Sequence, residues 1–197
     1  MRTLLEFEVE PDLEAFKAAK ALMKDRELSG IDELTRLAER GSILSMLEIG
    51  RAYYSGTGVL KDYAHSEEWF RRAANARSVL GHYYLGLVQK KTARVVDAIA
   101  SFNFSASRGY GPALYELGKI YFYGEGVTKD SRLASQYLAK ASQAGMVHAT
   151  ALLAHNEIRT APNLAIKARG YLKLLRAMSK GVFLTFYENP DSQKLIR

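Results

Sequence analysis

A ten-residue pattern is written twice in this chain. Residues 53–62 read YYSGTGVLKD, and residues 121–130 read YFYGEGVTKD. The match extends outward at a constant spacing of 68. Gly50 falls on Gly118, Tyr53 on Tyr121, Gly56 on Gly124, Gly58 on Gly126, Val59 on Val127 and Asp62 on Asp130. Trp69 falls on Tyr137 and Ala73 on Ala141. A spacing of 68 is twice the roughly 34 residues of a helix-pair repeat. One such unit cannot bury its apolar face alone, so the chain must stack units into a continuous core.

The copy between the two is recognisable. YYLGLVQ, residues 83–89, places Gly86 on the Gly50 position. IASFNFSASRG, residues 99–109, places Phe102 on Trp69 and Ala106 on Ala73, with a turn about three residues shorter and no glycine pair. A fourth copy begins at MVHATALLAH, residues 146–155, aligning Ala149 with Ala113 and Leu153 with Leu117. It carries Ala154 in place of the glycine, and Pro162 near the next helix start.

Each copy divides into two helices. In the third, Ala113, Leu117, Ile120 and Tyr121 recur at helical spacing, and so do Leu133, Tyr137, Leu138 and Ala141. Glycine inside a helix costs about 1 kcal/mol relative to alanine. Its recurrence at one place in three copies predicts a neighbouring helix too close for a side chain. The quoted stretch reads as a corner. The first helix ends near Tyr54 or Ser55, and Gly56 and Gly58 supply the positive-φ residues that reverse the chain. Val59 fills the gap between paired helices, and Asp62 caps the next helix.

These residues resemble the Sel1-like repeat, a relative of the tetratricopeptide repeat. EIGRAYYSGTGVLKDYAHSEEWFRRAA and ELGKIYFYGEGVTKDSRLASQYLAKAS carry its pattern well, and the resemblance covers about residues 41–145. It implies an all-α, right-handed α-α superhelical solenoid. It also implies a non-catalytic scaffold or adaptor that binds a partner protein or peptide along the solenoid. First helices of each pair usually line the concave side in such folds. On that basis Glu48, Arg51, Tyr54, Tyr84, Glu116, Lys119 and Tyr123 are candidate groove residues. Tyrosine and arginine supply much interface energy, although ordinary exposed helix surface is the simpler reading of each position.

The ends differ from the repeats. Residues 11–40 read as a capping helix pair, with Pro11 suited to a first helical position. LEFEVE, residues 5–10, alternates so that Leu5, Phe7 and Val9 share one side. Residues 1–10 are then an extended arm laid over the first helices, or one that pairs with a second chain into a homodimer. Residues 146–181 read as a degenerate fourth repeat, and 182–197 as a tail opening on the apolar VFLTFY. In the last helix, Leu164, Ala168, Tyr171, Leu175, Met178 and Val182 line one side, and Arg169, Lys173, Arg176 and Lys180 another. A cap with a solvated basic face is the simple reading. A binder of anionic membrane or nucleic acid is the alternative.

Charge bears on that alternative. Residues 1–60 carry eight Lys/Arg against eleven Asp/Glu, whereas residues 61–197 carry twenty against ten. At 197 residues, with 48% hydrophobic and 25% charged residues, a single globular domain is the default. The chain has no cysteine, which removes disulfides and thiolate chemistry and fits a reducing, cytoplasmic setting. No run of apolar residues reaches membrane-spanning length.

No catalytic, cofactor or metal constellation emerges. The glycine pair lacks both the GxxxxGK[ST] and the GxGxxG context. His65, His82, His148 and His155 form no HExxH, and adjacent Glu67 and Glu68 read as solvated helix surface. No small-molecule substrate is expected. A hydrolase remains the third functional class, because a few members of the resembled family have enzymatic roles.

Overall fold

The structure is a computed structural model that describes residues 10–24 and 28–177. Among the described residues ten helices follow one another: α1 (Leu13–Lys24), α2 (Leu28–Glu39), α3 (Ile43–Ser55), α4 (Tyr63–Asn75), α5 (Val79–Lys91), α6 (Val95–Ser107), α7 (Gly111–Tyr123), α8 (Ser131–Gln143), α9 (Val147–Thr160) and α10 (Leu164–Ala177). The described residues form no strand. The proposed arm and tail, residues 1–9 and 182–197, lie outside them, as does Lys180.

The chain divides into two compact units, residues 1–108 with α1–α6 and residues 109–197 with α7–α10, where its length predicts one domain. Repeat folds concentrate contacts between sequence neighbours, which favours such a division. In the first unit, Leu34, Leu37, Leu47, Ile49, Phe70, Ala73 and Val88 form a continuous buried core, with Val59 and Trp69 packed on it. In the second, Ala113, Leu117, Ile120, Leu138, Ala141 and Leu152 are all within 1% of full burial.

The corners form as the sequence predicts. Gly56 and Gly124 adopt left-handed φ of 78° and 75°, and their amides close the preceding helices onto Ala52 O and Ile120 O. Asp62 Oδ1 accepts from the Ala64 and His65 amides at 2.8 and 3.1 Å. Asp130 Oδ1 accepts from the Leu133 amide at 2.8 Å. The Asp62 amide donates back to Tyr53 O at 2.9 Å, and the Asp130 amide to Tyr121 O at 3.0 Å, so each turn is tied at both ends. At the chain start the expectation for Pro11 fails. Helix α1 begins at Leu13, and Asp12 Oδ1 takes the cap by accepting from the Ala15 amide at 3.0 Å. Pro11 therefore lies before the helix.

The helix glycines mark close approaches. A Cβ on Gly50 would stand 2.6 Å from the Phe70 ring, one on Gly86 2.6 Å from Phe102, and one on Gly118 2.7 Å from Leu138. Phe102 is thus the counterpart of Phe70, not of Trp69, and buried Ser105 rather than Ala106 takes the Ala73 place. The α3–α4 connection spans seven residues, 56–62, and the α5–α6 connection only three, 92–94. The middle turn is therefore shorter by one more residue than the sequence comparison allowed.

That short turn pays for its length in backbone conformation. Ala93 has φ 62° where the long turns carry glycine, and Arg77 at the end of α4 has φ 63°. A left-handed residue with a Cβ costs about 1–2 kcal/mol, partly offset by the extra freedom glycine has when unfolded. Ala93→Gly is accordingly expected to raise stability by about 0.5–1 kcal/mol, read as a higher urea midpoint. An unchanged or lowered midpoint would refute it.

Helix α10 turns the opposite way from its sequence pattern. Leu164, Tyr171 and Leu175 are more than half exposed, and Ala168 is exposed. The buried position is Gly170, where a Cβ would meet Ile158 at 2.5 Å. The closest approach to α9 thus selects the smallest residue, and the apolar stripe faces away from that contact.

Candidate partner-binding surface

Helices α3 and α5 carry four of the predicted groove residues, and the fold brings all four to one pocket. Glu48, Arg51, Tyr54 and Tyr84 line a cavity of about 240 Å³ in the first unit, together with Met23, Ala52, Ser55, Thr57, Phe70 and Leu87. Burial sorts these into layers. Met23, Ala52 and Phe70 are buried and form the floor. Tyr54, Tyr84, Leu87 and Glu48 are half-buried walls, and Arg51, Ser55 and Thr57 are exposed at the mouth.

Local geometry holds the walls in place. The Phe70 and Tyr84 rings stack with centroids 5.1 Å apart, and Tyr54 packs obliquely on Tyr63 at 5.5 Å. Such ring pairs add about 0.5–1.5 kcal/mol beyond the area they bury. Glu48 Oε2 accepts from Lys20 Nζ at 3.2 Å and from Arg51 Nη1 at 3.4 Å. Lys61 Nζ lies 5.0 Å from the Tyr63 centroid, and the hydrogen bond to Tyr63 holds its pKa above the usual lysine value.

The other three groove candidates stand on α7 in the second unit. Lys119 Nζ donates to Glu116 Oε1 at 3.1 Å and lies 5.5 Å from the Tyr115 centroid. Burial, with smaller contributions from Glu116 and Tyr123, pushes the Tyr115 hydroxyl up to about 12. Tyr123 packs edge-on against the buried Phe122 at 4.9 Å and keeps 39% of its surface exposed. Phe122 also lies beneath Lys129, Arg159 and His155, at 5.5, 5.2 and 5.8 Å.

The basic candidates on α10 are not equivalent. Lys173 Nζ donates to both carboxylate oxygens of Glu157, at 2.7 and 2.9 Å, which ties α10 to α9. Arg169 is exposed, the Arg176 side chain lies outside the described residues, and so does Lys180. Of the two described cations, Arg169 is exposed and Lys173 is engaged in an ion pair.

Glu67 corrects the reading of the carboxylate pair. Glu68 is exposed, but Glu67 is buried and bridges Arg71 on its own helix to Arg94 in the α5–α6 turn. Arg94 Nη1 donates to Glu67 Oε1 at 3.0 Å, and Nη2 donates to Oε2. The Arg94 hydrogen bonds hold the Glu67 carboxyl below the ordinary glutamate range. A carboxyl with a lowered folded pKa adds stability above its unfolded pKa of about 4.3 and loses it as pH falls through the folded value. Glu67→Gln is expected to reduce stability at pH 7 and to shrink the difference between pH 7 and pH 3. Equal acid sensitivity in both proteins would show that the bridge contributes nothing.

Three of the four histidines, His65, His82 and His155, pack against aromatic rings. His65 Nδ1 lies 2.7 Å from Asp62 Oδ2, and its ring stacks on Tyr53. His82 stacks on Phe104 at 3.6 Å, and burial depresses its pKa. Among the described residues no three His, Cys, Asp or Glu side chains are placed to hold a metal ion. No described helix is long and apolar enough to cross a membrane.

Comparison with known proteins bears on the two corner motifs directly. The Sel1 repeat model matches residues 43–78 and 111–146, the spans of α3–α4 and α7–α8 with their glycine turns. The chain carries Sel1 repeats. A curated relative is the ERAD-associated E3 ubiquitin-protein ligase component HRD3B of Arabidopsis thaliana, 32% identical over 99 residues. The match covers 50% of this chain but only 16% of that protein. Two solved structures share the fold at 20% identity and a TM-score of 0.71 each. The Sel1 repeat protein of Oxalobacter formigenes is matched over 86% of this chain and 69% of its own. The c5321 protective antigen of uropathogenic Escherichia coli, which displays an SLR fold, is matched over 95% and 44%. The Sel1-repeat chain is thus an all-α solenoid of helix pairs. Sel1-repeat proteins generally mediate protein–protein interaction, typically as non-catalytic scaffolds.

The floor of the pocket was not foreseen from sequence. Met23 belongs to the divergent first pair, and the repeat pattern singles out Trp69 and not Ala52 or Phe70. A signal was present in the alignment at 68: Ala52 and Ser55 face Ile120 and Tyr123, a loss of volume at two positions of one helix face.

Proposed function

We propose that the chain is a non-catalytic adaptor that binds a partner protein or peptide at the α3–α5 surface of its first unit. The observation that carries this reading is the convergence of Glu48, Arg51, Tyr54 and Tyr84 on one pocket with a buried apolar floor. An open apolar cavity with few polar groups at its mouth is the usual form of a recognition site. Tyrosine and arginine are the residues most enriched among binding hot spots. Repeats of this family, with their general role in protein interaction, support the same class of partner.

The test is affinity capture from native lysate at low and high salt, using the wild-type chain, Tyr54→Ala with Tyr84→Ala, and Arg169→Glu with Lys173→Glu. A partner retained at high salt and lost only with the tyrosine variants supports the reading. Capture that disappears at high salt, or only with the α10 reversals, would transfer the function to an anionic surface or nucleic acid.

A further inference from the structure

The pocket has an internal counterpart. Helices α3, α4 and α5 match α7, α8 and α9 at the spacing of 68, so each lining residue on α3 to α5 has a partner position in the second unit. Ile120 stands in place of Ala52 and is fully buried. Tyr123 stands in place of Ser55 and packs against Phe122. Conversely, the first unit has Phe70 and Tyr84 where the second has Leu138 and Leu152. The first unit therefore combines small residues on α3 with large rings opposite them. Ala52 and Ser55 leave the space open, and Phe70 in the floor with Tyr84 and Tyr54 in the walls lines it with aromatic rings.

Size and lining restrict the occupant. A volume of about 240 Å³ is below the about 300–1,000 Å³ of drug-sized ligand sites, and suits one large side chain. Three rings and the Met23 thioether favour an aromatic occupant, through ring–ring and sulfur–ring contacts. The mouth adds a charge preference. Lys20 and Arg51 share one oxygen of Glu48, so two cations face one carboxylate. Among the described residues the Arg51 guanidinium makes only that 3.4 Å contact, which leaves most of its five donors unengaged.

We propose that the pocket receives an aromatic side chain of a partner peptide and that Arg51 holds an acidic residue adjacent to it in that peptide. This specificity rests on the binding role proposed above. The ring is desolvated against Phe70 and Tyr84, and the carboxylate completes the hydrogen bonding of Arg51 at the rim. The apolar anchor supplies affinity, and the charge selects among aromatic-bearing sequences.

The full chain is titrated by NMR with three probes, acetyl-Trp-Asp-amide, acetyl-Trp-Lys-amide and acetyl-Ala-Asp-amide. Acetyl-Trp-Asp-amide is expected to bind about three- to tenfold more tightly than acetyl-Trp-Lys-amide, with acetyl-Ala-Asp-amide weakest and shifts centred on Met23, Tyr84 and Leu87. Arg51→Glu should invert the order of the two tryptophan peptides. Ser55→Tyr, at an exposed position, should abolish binding by installing the side chain of the second unit, and Ala52→Ile should do the same from the floor. Equal binding of the tryptophan and alanine peptides, an order unchanged by Arg51→Glu, or full binding by both filled variants would each overturn the inference. Failure of every probe would also overturn it, while a captured partner still lost with Tyr54→Ala and Tyr84→Ala would leave the adaptor reading standing.

Discussion

Phe70→Ala is expected to lower the stability of the first unit by about 3–5 kcal/mol. The ring is 1% exposed, lies where Gly50 lacks a side chain, and stacks on Tyr84. Its removal opens a cavity between α3 and α4 that neither helix can close, because their ends are held by the tied turn at 56–62. Trp69, the single tryptophan of the chain, lies in the same unit and provides a local fluorescence signal for urea unfolding. Phe70→Leu, which installs the residue of the second unit, should cost no more than about half as much. A Phe70→Ala protein within about 1 kcal/mol of wild type would show that Gly50 does not serve this packing.

Gly81→Ala is expected to destabilise by about 1–3 kcal/mol, against the sign of helix propensity, which favours alanine by about 1 kcal/mol. A Cβ at Gly81 would stand 2.7 Å from the Ala74 nitrogen and 2.8 Å from the Ala73 carbonyl carbon. Both are backbone atoms at the end of α4, so no rotamer change relieves the clash, and α4 and α5 must separate. The Gly81 amide also donates to the capping Ser78 hydroxyl at 2.7 Å, which fixes the turn from the other side. The measurement is again the urea midpoint followed at Trp69. A midpoint at or above wild type would mean that the helix pair is looser than its geometry shows.

Most of the fold was legible because its signals are local. Glycine at the left-handed positions, aspartate at the caps and apolar spacing along each helix act within a few residues of one another. The offset of 68 then placed α3 to α5 on α7 to α9. The misreadings arose where partners are distant or where length changes. The repeat pattern puts Phe102 one position early, on Trp69 instead of Phe70, because the middle turn loses four residues relative to the first, and only its ring against Gly86 reveals the register. Glu67 looks solvated beside Glu68, since the arginine that buries it lies 27 residues away in a turn. On α10 the apolar stripe was the stronger pattern, yet Gly170 decides which side approaches α9.

The candidate surface was legible in the same uneven way. Glu48, Arg51, Tyr54 and Tyr84 are expected from their place on the first helices of their pairs, and one pocket gathers them. The pocket itself depends on what is small at Ala52 and Ser55, and absence of volume leaves a weaker mark on a sequence than presence of charge.

The tied turns have a consequence for how the chain breathes. Asp62 and Asp130 sit in surface loops, yet each donates its amide to a carbonyl nine residues back across the corner. Those hydrogens should exchange with solvent deuterium on the timescale of the helices, not of loops. A protease probing for slack would find these glycine-rich segments closed, and would need a whole helix pair to open before it could cut there.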